Sequence, residues 1–384
     1  MSFMGSQPQD VGARAEYLAY LRENNLSEVD ILPLLPEVDP EIQAKVDAVL
    51  AQARAAGMHR LLEQIRDASS RNTNDLLAVM NAALVDRFAK AGLQLTQPVF
   101  AGVFPTNTFN AHAVMRPNTY LILVDTGMVE ILGAMTTILA SLDLGTARTE
   151  AKRAAVLLRQ YCDDRQLPTY AQLNATPLGG DRLMLMTHAA SAAEEFVLAH
   201  EYAHIIRGDV GHLFFSDPGN RPKRDSLSDS ETEADLWAAD AVMRVASSDE
   251  ERIIRCTGPL VFLATAGLIE AYMEQKKGQP RFDTHPPASN RIVQLRYSLA
   301  KAGLNEAAQL GATFFKFSLL VGEELGVSMR SRESLLAIAE HMGGMVADGL
   351  QEPEPLVKQT LRIFERTSAA PPEEPWWKFW KRGR

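Results

Sequence analysis

Residues 193–208 read AEEFVLAHEYAHIIRG, and inside them His200-Glu201-Tyr202-Ala203-His204 forms an HExxH pattern. The stretch is rich in helix formers, with Phe196, Val197, Leu198, Ile205 and Ile206 as apolar neighbours, and Gly208 stands where a helix would stop. Residues four apart share one helix face, so His200 and His204 can turn both imidazoles toward one ion. Glu201 lies roughly a quarter-turn round the helix. From there it can reach a water bound to that ion without being a ligand itself. Two neutral imidazoles, a carboxylate base and an open coordination position are what metal-assisted hydrolysis requires. A tetrahedral site still needs a third protein ligand, so the fold must bring another donor onto this helix.

Glu231-Thr232-Glu233-Ala234-Asp235 lies 27 residues after His204. A second helix is expected there, running to about Val245, with Ser228 as N-cap and Glu231 as its capping-box partner. Ala234, Trp237, Ala238, Ala241, Val242 and Val245 form its apolar stripe. Glu231 and Asp235 are four apart and share a face. One carboxylate can then bind a metal while the other supports a ligand histidine from behind. Alone, an acidic first turn is what the helix dipole favours; next to an HExxH helix, the metal reading is the stronger one.

Three further segments complete a pattern. Residues 284–291 read Thr-His-Pro-Pro-Ala-Ser-Asn-Arg and are followed by Ile292 and Leu295. Upstream lie Asn110-Ala111-His112-Ala113 and then the strand-like run Thr119 to Thr126. In this order, over about 98–298, the segments resemble the HtpX-like and CAAX-prenyl-protease-like zinc endopeptidases, a branch of the gluzincins. Glu231 to Asp235 is similar to that family's ExxAD element, 284–291 to its THPP…R element and 110–113 to its NAxA edge strand.

The resemblance implies a mainly α (α+β) chain. Its zincin-like metallopeptidase core would have a small sheet beside the HExxH helix and added helical segments at both ends. It implies one Zn²⁺ per chain on His200, His204 and Glu231, with Asp235 orienting a ligand imidazole. Glu201 is then the catalytic base, and His285 and Arg291 face the substrate and steady the oxyanion, which needs preplaced donors. Asn110, Ala111, His112 and Ala113 would hold an extended substrate by backbone pairing. The expected activity is zinc-dependent endopeptidase hydrolysis of protein or peptide substrates. Two alternatives stand beside it. One is a dedicated regulatory protease, stress- or phage-responsive, with one intracellular target; the other is a catalytically silent binding protein on the same fold, against which the intact Glu201 weighs. Typical members of that family are integral membrane proteins, whereas this chain is expected to lack spans. About fifty residues also separate the Gly127–Leu142 helix from the HEYAH helix, more than the family needs.

Composition narrows the classes. A formal net charge of −9 argues against a nucleic-acid partner. Cys162 and Cys256 are the only cysteines, which excludes a disulfide scaffold and a thiolate zinc site and suits a reducing compartment. The N-terminus has no apolar segment of signal-peptide type. A membrane span needs about 20 apolar residues. Thr119 to Leu142 is broken by Asp125 and Glu130, and Gly258 to Ile269 is a dozen long before Glu270, so no transmembrane helix is expected. The expected location is cytoplasmic, with peripheral membrane attachment as a variant.

The chain divides into an N-terminal helical region (1–92), a metallopeptidase domain (93–302), a C-terminal helical region (303–368) and a Pro-rich linker with tail (369–384). Helices are expected near 11–24, 38–56, 58–69, 74–91, 127–142, 149–165, 252–275, 291–302, 305–325, 331–349 and 353–367. Short strands are expected between 94 and 126. Residues 143–190 read as an insertion with a Gly179-Gly180 turn. In the tail, three of the four tryptophans fall within five residues. Trp376, Trp377, Phe379 and Trp380, with their cationic neighbours, suit contact with a membrane interface or a protein partner.

Overall fold

The structure, a computed structural model, describes residues 11–27, 73–90, 95, 97–142, 146–166, 180–208, 210, 224–244, 246, 249–278 and 286–328. The helices expected at 38–56, 58–69, 331–349 and 353–367, Gly179 of the expected Gly179-Gly180 turn, His285 and the tail lie outside these residues. The chain forms two compact units: one holds the residues up to Thr106 together with Asn110–Thr126, the other Asn107–Phe109 and everything from Gly127 on. The architecture is mainly helical with one small sheet, as the sequence indicates.

The first unit holds helices α1 (Val11–Glu23) and α2 (Thr73–Lys90) and strands β1 (Val99–Phe104), β2 (Ala111–Arg116) and β3 (Thr119–Asp125). The sheet order is β1-β3-β2. Strand β3 pairs parallel with β1, Val99 opposite Tyr120, and antiparallel with β2, Ala111 opposite Val124. Its run Leu121 to Val124 is fully buried, as expected of a central strand covered on both faces. Tyr17 of α1 stacks on Phe100, ring centroids 4.7 Å apart, and its hydroxyl donates to the Val103 carbonyl at 2.7 Å. Asn74 of α2 accepts from the Val103 N–H at 2.6 Å, so both helices are tied to β1 at one residue. Strand β2 stands at the sheet edge, with its open side unpaired by another described strand.

Among the described residues the elements of the second unit are helices: α3 (Thr126–Ala140), α4 (Ala147–Asp164), α5 (Gly180–Arg207), α6 (Arg224–Met243), α7 (Asp249–Lys277), α8 (Ala288–Lys301) and α9 (Asn305–Leu325). Helix α7 is the centre of this unit, touching α4, α5, α6, α8 and α9. Leu260, Leu263 and Leu268 on it are fully buried, each contributing about 2 kcal/mol of transfer free energy. Gly258 lets α7 approach α5 closely, because a Cβ there would collide with the backbone of Ala192 and Ala193. A partly buried ion pair, Arg255 to Glu195 at 2.9 Å, joins the same two helices just before His200.

Several boundaries depart from the sequence reading. Helix α5 begins at Gly180, so the last part of the expected insertion is the N-terminal third of the HEYAH helix. Helix α6 begins at Arg224, which puts Ser228 inside it and rules out the capping box. Its described buried face includes Ser230, Glu231, Ala234 and Asp235, and the helix packs on α5. Helix α8 begins at Ala288, three residues before Arg291. In α7 the stretch Glu251–Lys277 is, by length and composition, able to cross a membrane over an 18-residue window. The helix runs through Glu270, as the helix expected over 252–275 does, and the Glu270 carboxylate accepts from the Ala288 N–H at 3.0 Å. Seventy-two percent of the window is buried inside the protein, as in a core helix.

Candidate metal centre

Helices α5 and α6 pack together and bring three donors to one point. His200 and His204 face each other with Nε2 atoms 3.1 Å apart. Glu231 reaches in from α6, its Oε2 at 3.3 Å from His200 Nε2 and its Oε1 at 3.4 Å from His204 Nε2. All three side chains are buried. Metal bonds of about 2.0–2.1 Å in a tetrahedral arrangement put neighbouring ligand atoms about 3.4 Å apart. The spacings here, 3.1 to 3.4 Å, lie near that value, with Glu231 turning a different oxygen to each imidazole. Two imidazoles and one carboxylate are also the donor types that suit zinc. His200, His204 and Glu231 form the one such group among the described residues.

A second layer of contacts stands behind His200. Asp235 Oδ1 lies 3.0 Å from His200 Nδ1. The same carboxylate receives Arg291 through Nε and Nη2, each at 2.6 Å, in a fork-to-fork pair. A proton on Nδ1, shared with Asp235, leaves the Nε2 lone pair facing Glu231 and His204. Burial pushes the Asp235 carboxyl up, but the charge and hydrogen bonds of Arg291, then those of His200, hold it well below the usual carboxylate range. Burial pushes His200 down, yet Asp235 and Glu231 together raise it to about 10. Burial likewise works against the Arg291 charge, and Asp235 keeps it raised. The cluster therefore attracts positive charge, whether a proton or a metal ion.

The other sequence-derived residues fall as follows. Glu201 is buried on α5 directly after His200, its side chain about 100° round the helix. Glu233 points away from the cluster and pairs with Arg207 at the surface. Asn110 precedes β2, and Ala111, His112 and Ala113 lie within it at the edge of the first unit's sheet. The His112 ring meets Phe104 edge-on, centroids 5.7 Å apart. His285 lies outside the described residues. Two supporting contacts escaped the sequence reading: Glu195 with Arg255, and Glu270 with Ala288. Their partners are 60 and 18 residues away, beyond the reach of any periodicity or capping pattern.

The model of the Peptidase U49 family matches residues 158–310. That span runs from the end of α4 to the start of α9 and contains His200, Glu201, His204, Glu231, Asp235 and Arg291. No curated protein and no solved structure matches the chain. The family match supports a peptidase, whose substrate is a protein or peptide, and it falls on the helices that build the cluster.

Proposed function

We propose that the protein is a zinc-dependent endopeptidase whose ion is held by His200, His204 and Glu231. The observation that carries this reading is the convergence of three buried donors, one ligand atom of each within 4.8 Å of the others, inside the peptidase match. When bound, zinc supplies Lewis acidity, lowering the pKa of a water and polarising the scissile carbonyl. Glu201 takes the proton of the attacking water and returns it to the leaving amine. Asp235 fixes the tautomer and direction of His200 through Nδ1. Arg291 commits Nε and Nη2 to Asp235, so it acts first as a positioning residue, with Nη1 left as a donor for a developing oxyanion. In this reading His285 supplies a further oxyanion donor. The resemblance gives Asn110, Ala111, His112 and Ala113 the role of holding an extended peptide by backbone pairing. Both cysteines are unpaired, in keeping with a reducing compartment such as the cytoplasm. The HtpX-like resemblance motivates these finer assignments.

The test is metal analysis and proteolysis on purified protein. The wild type should carry about one zinc per chain and cleave a protein substrate. Glu201→Gln should retain the metal and lose cleavage. Cleavage that survives both thorough chelation and Glu201→Gln would overturn the proposal.

A further inference from the structure

Helix α8 starts without a side-chain cap of its own. Its N-cap residue is Pro287, which makes no capping hydrogen bond, and the backbone leaves the Ala288 N–H without an intrahelical acceptor. Glu270 fills that role from α7, its Oε2 accepting from the Ala288 N–H at 3.0 Å. One turn further into α8, Arg291 forks onto Asp235, and Asp235 holds His200. The three contacts run in series: Glu270 sets the start of α8, α8 sets Arg291, and Arg291 with Asp235 aims His200. The Glu270 carboxylate also acts on the Arg291 charge. Pro286 and Pro287 stiffen the chain entering α8, so the helix end has few other ways to adjust.

We infer that Glu270 is a positioning residue of the metal centre, acting through the α8 N-terminus and Arg291 and touching neither metal nor substrate. The inference rests on the proposed metal reading. It separates the hydrogen bond from the charge. Glu270→Gln keeps a carbonyl oxygen for the Ala288 N–H. Glu270→Asp keeps the charge but is one methylene too short to reach.

The experiment is zinc affinity of the metal-free protein by competition with a chromophoric chelator, with the melting temperature of the metal-free protein measured alongside. Zinc affinity should fall about tenfold in Glu270→Ala and in Glu270→Asp, and stay within about twofold of wild type in Glu270→Gln. In an Arg291→Gln background, Glu270→Ala should cost nothing more, because the link to His200 is already cut. A role in general stability alone would instead lower the melting temperature and act equally in both backgrounds, which overturns the inference. So does wild-type affinity in Glu270→Ala, or a reversed ranking of the Asp and Gln variants. Should Glu270→Ala not fold, the Asp and Gln pair still decides. A wild type that takes up no zinc overturns the metal reading itself; a wild type that binds, with every Glu270 variant unchanged, overturns only the role of Glu270.

Discussion

Asp235 accepts from Arg291 Nε and Nη2, each at 2.6 Å, and lies 3.0 Å from His200 Nδ1. Asp235→Asn keeps the shape but leaves one acceptor oxygen, and its NH₂ must face a donor. Arg291 is buried, so its charge loses the carboxylate it is paired with and cannot turn to water. Breaking a buried ion pair in this way costs about 3–5 kcal/mol; the retained Asn carbonyl places this case near 3 kcal/mol. Zinc affinity should fall ~10–100-fold, because the ligand imidazole loses its orienting partner. The loss of stability depends on pH in the metal-free protein. Asp235 is depressed below its ordinary 3.8, so its contribution is present above that value and lost as pH falls through the folded one. His200 is raised from 6.5 to about 10, so its contribution is complete below 6.5 and lost as pH rises through 10. The stability gap between wild type and Asp235→Asn should therefore be widest between pH ~4 and ~6.5 and narrow on both sides. Urea unfolding of metal-free protein across pH 3–10, with zinc titration at pH 7, measures both effects. A variant within about 1 kcal/mol of wild type throughout, with unchanged zinc affinity, would refute the ordering Arg291–Asp235–His200.

Three other outcomes are expected. His200→Ala and Glu231→Ala should lose zinc while Glu233→Ala keeps it; full occupancy in Glu231→Ala, read by atomic absorption, would show that the wrong glutamate was chosen. Gly258→Ala should lower stability by ~1–3 kcal/mol or more, since the added methyl meets the α5 backbone and not a yielding side chain; an unchanged melting temperature would mean that α5 and α7 are not so closely packed. The tail, with Trp376, Trp377, Phe379 and Trp380 beside Lys378, Lys381, Arg382 and Arg384, should sediment the full chain with anionic vesicles. A chain ending at Ala370 should stay in the supernatant, added salt should weaken the charge-driven part, and equal pelleting of the two would remove the membrane idea.

Local periodicity made the helical character of the chain readable. HEYAH lies on a helix because its neighbours favour one, and the i, i+4 rule alone turns His200 and His204 to one side. The span Asn305–Leu325 could be read to the residue because its apolar stripe ends on Gly326, whose left-handed φ of 70° stops the helix. The strand run around Tyr120 to Val124 was equally legible from its unbroken apolar character. Glu231 and Asp235 could be named as a pair sharing a face, but sequence alone left open which of them turns toward the histidines. The crossing of α5 and α6 decides that, placing Glu231 against both Nε2 atoms and Asp235 behind His200.

The early starts of α5 and α6 carry no capping pattern that the sequence reading recognised. Glu270 read from sequence as a charge breaking an apolar run, and its tertiary setting makes it the cap of a different helix. Arg291 read as a donor facing substrate, while the fold commits two of its nitrogens to Asp235. Propensity and periodicity act over a few residues and so are written along the chain. A buried charge must find its partner in space, and that partner is set by how the helices cross, 56 residues away for Arg291 and 18 for Glu270.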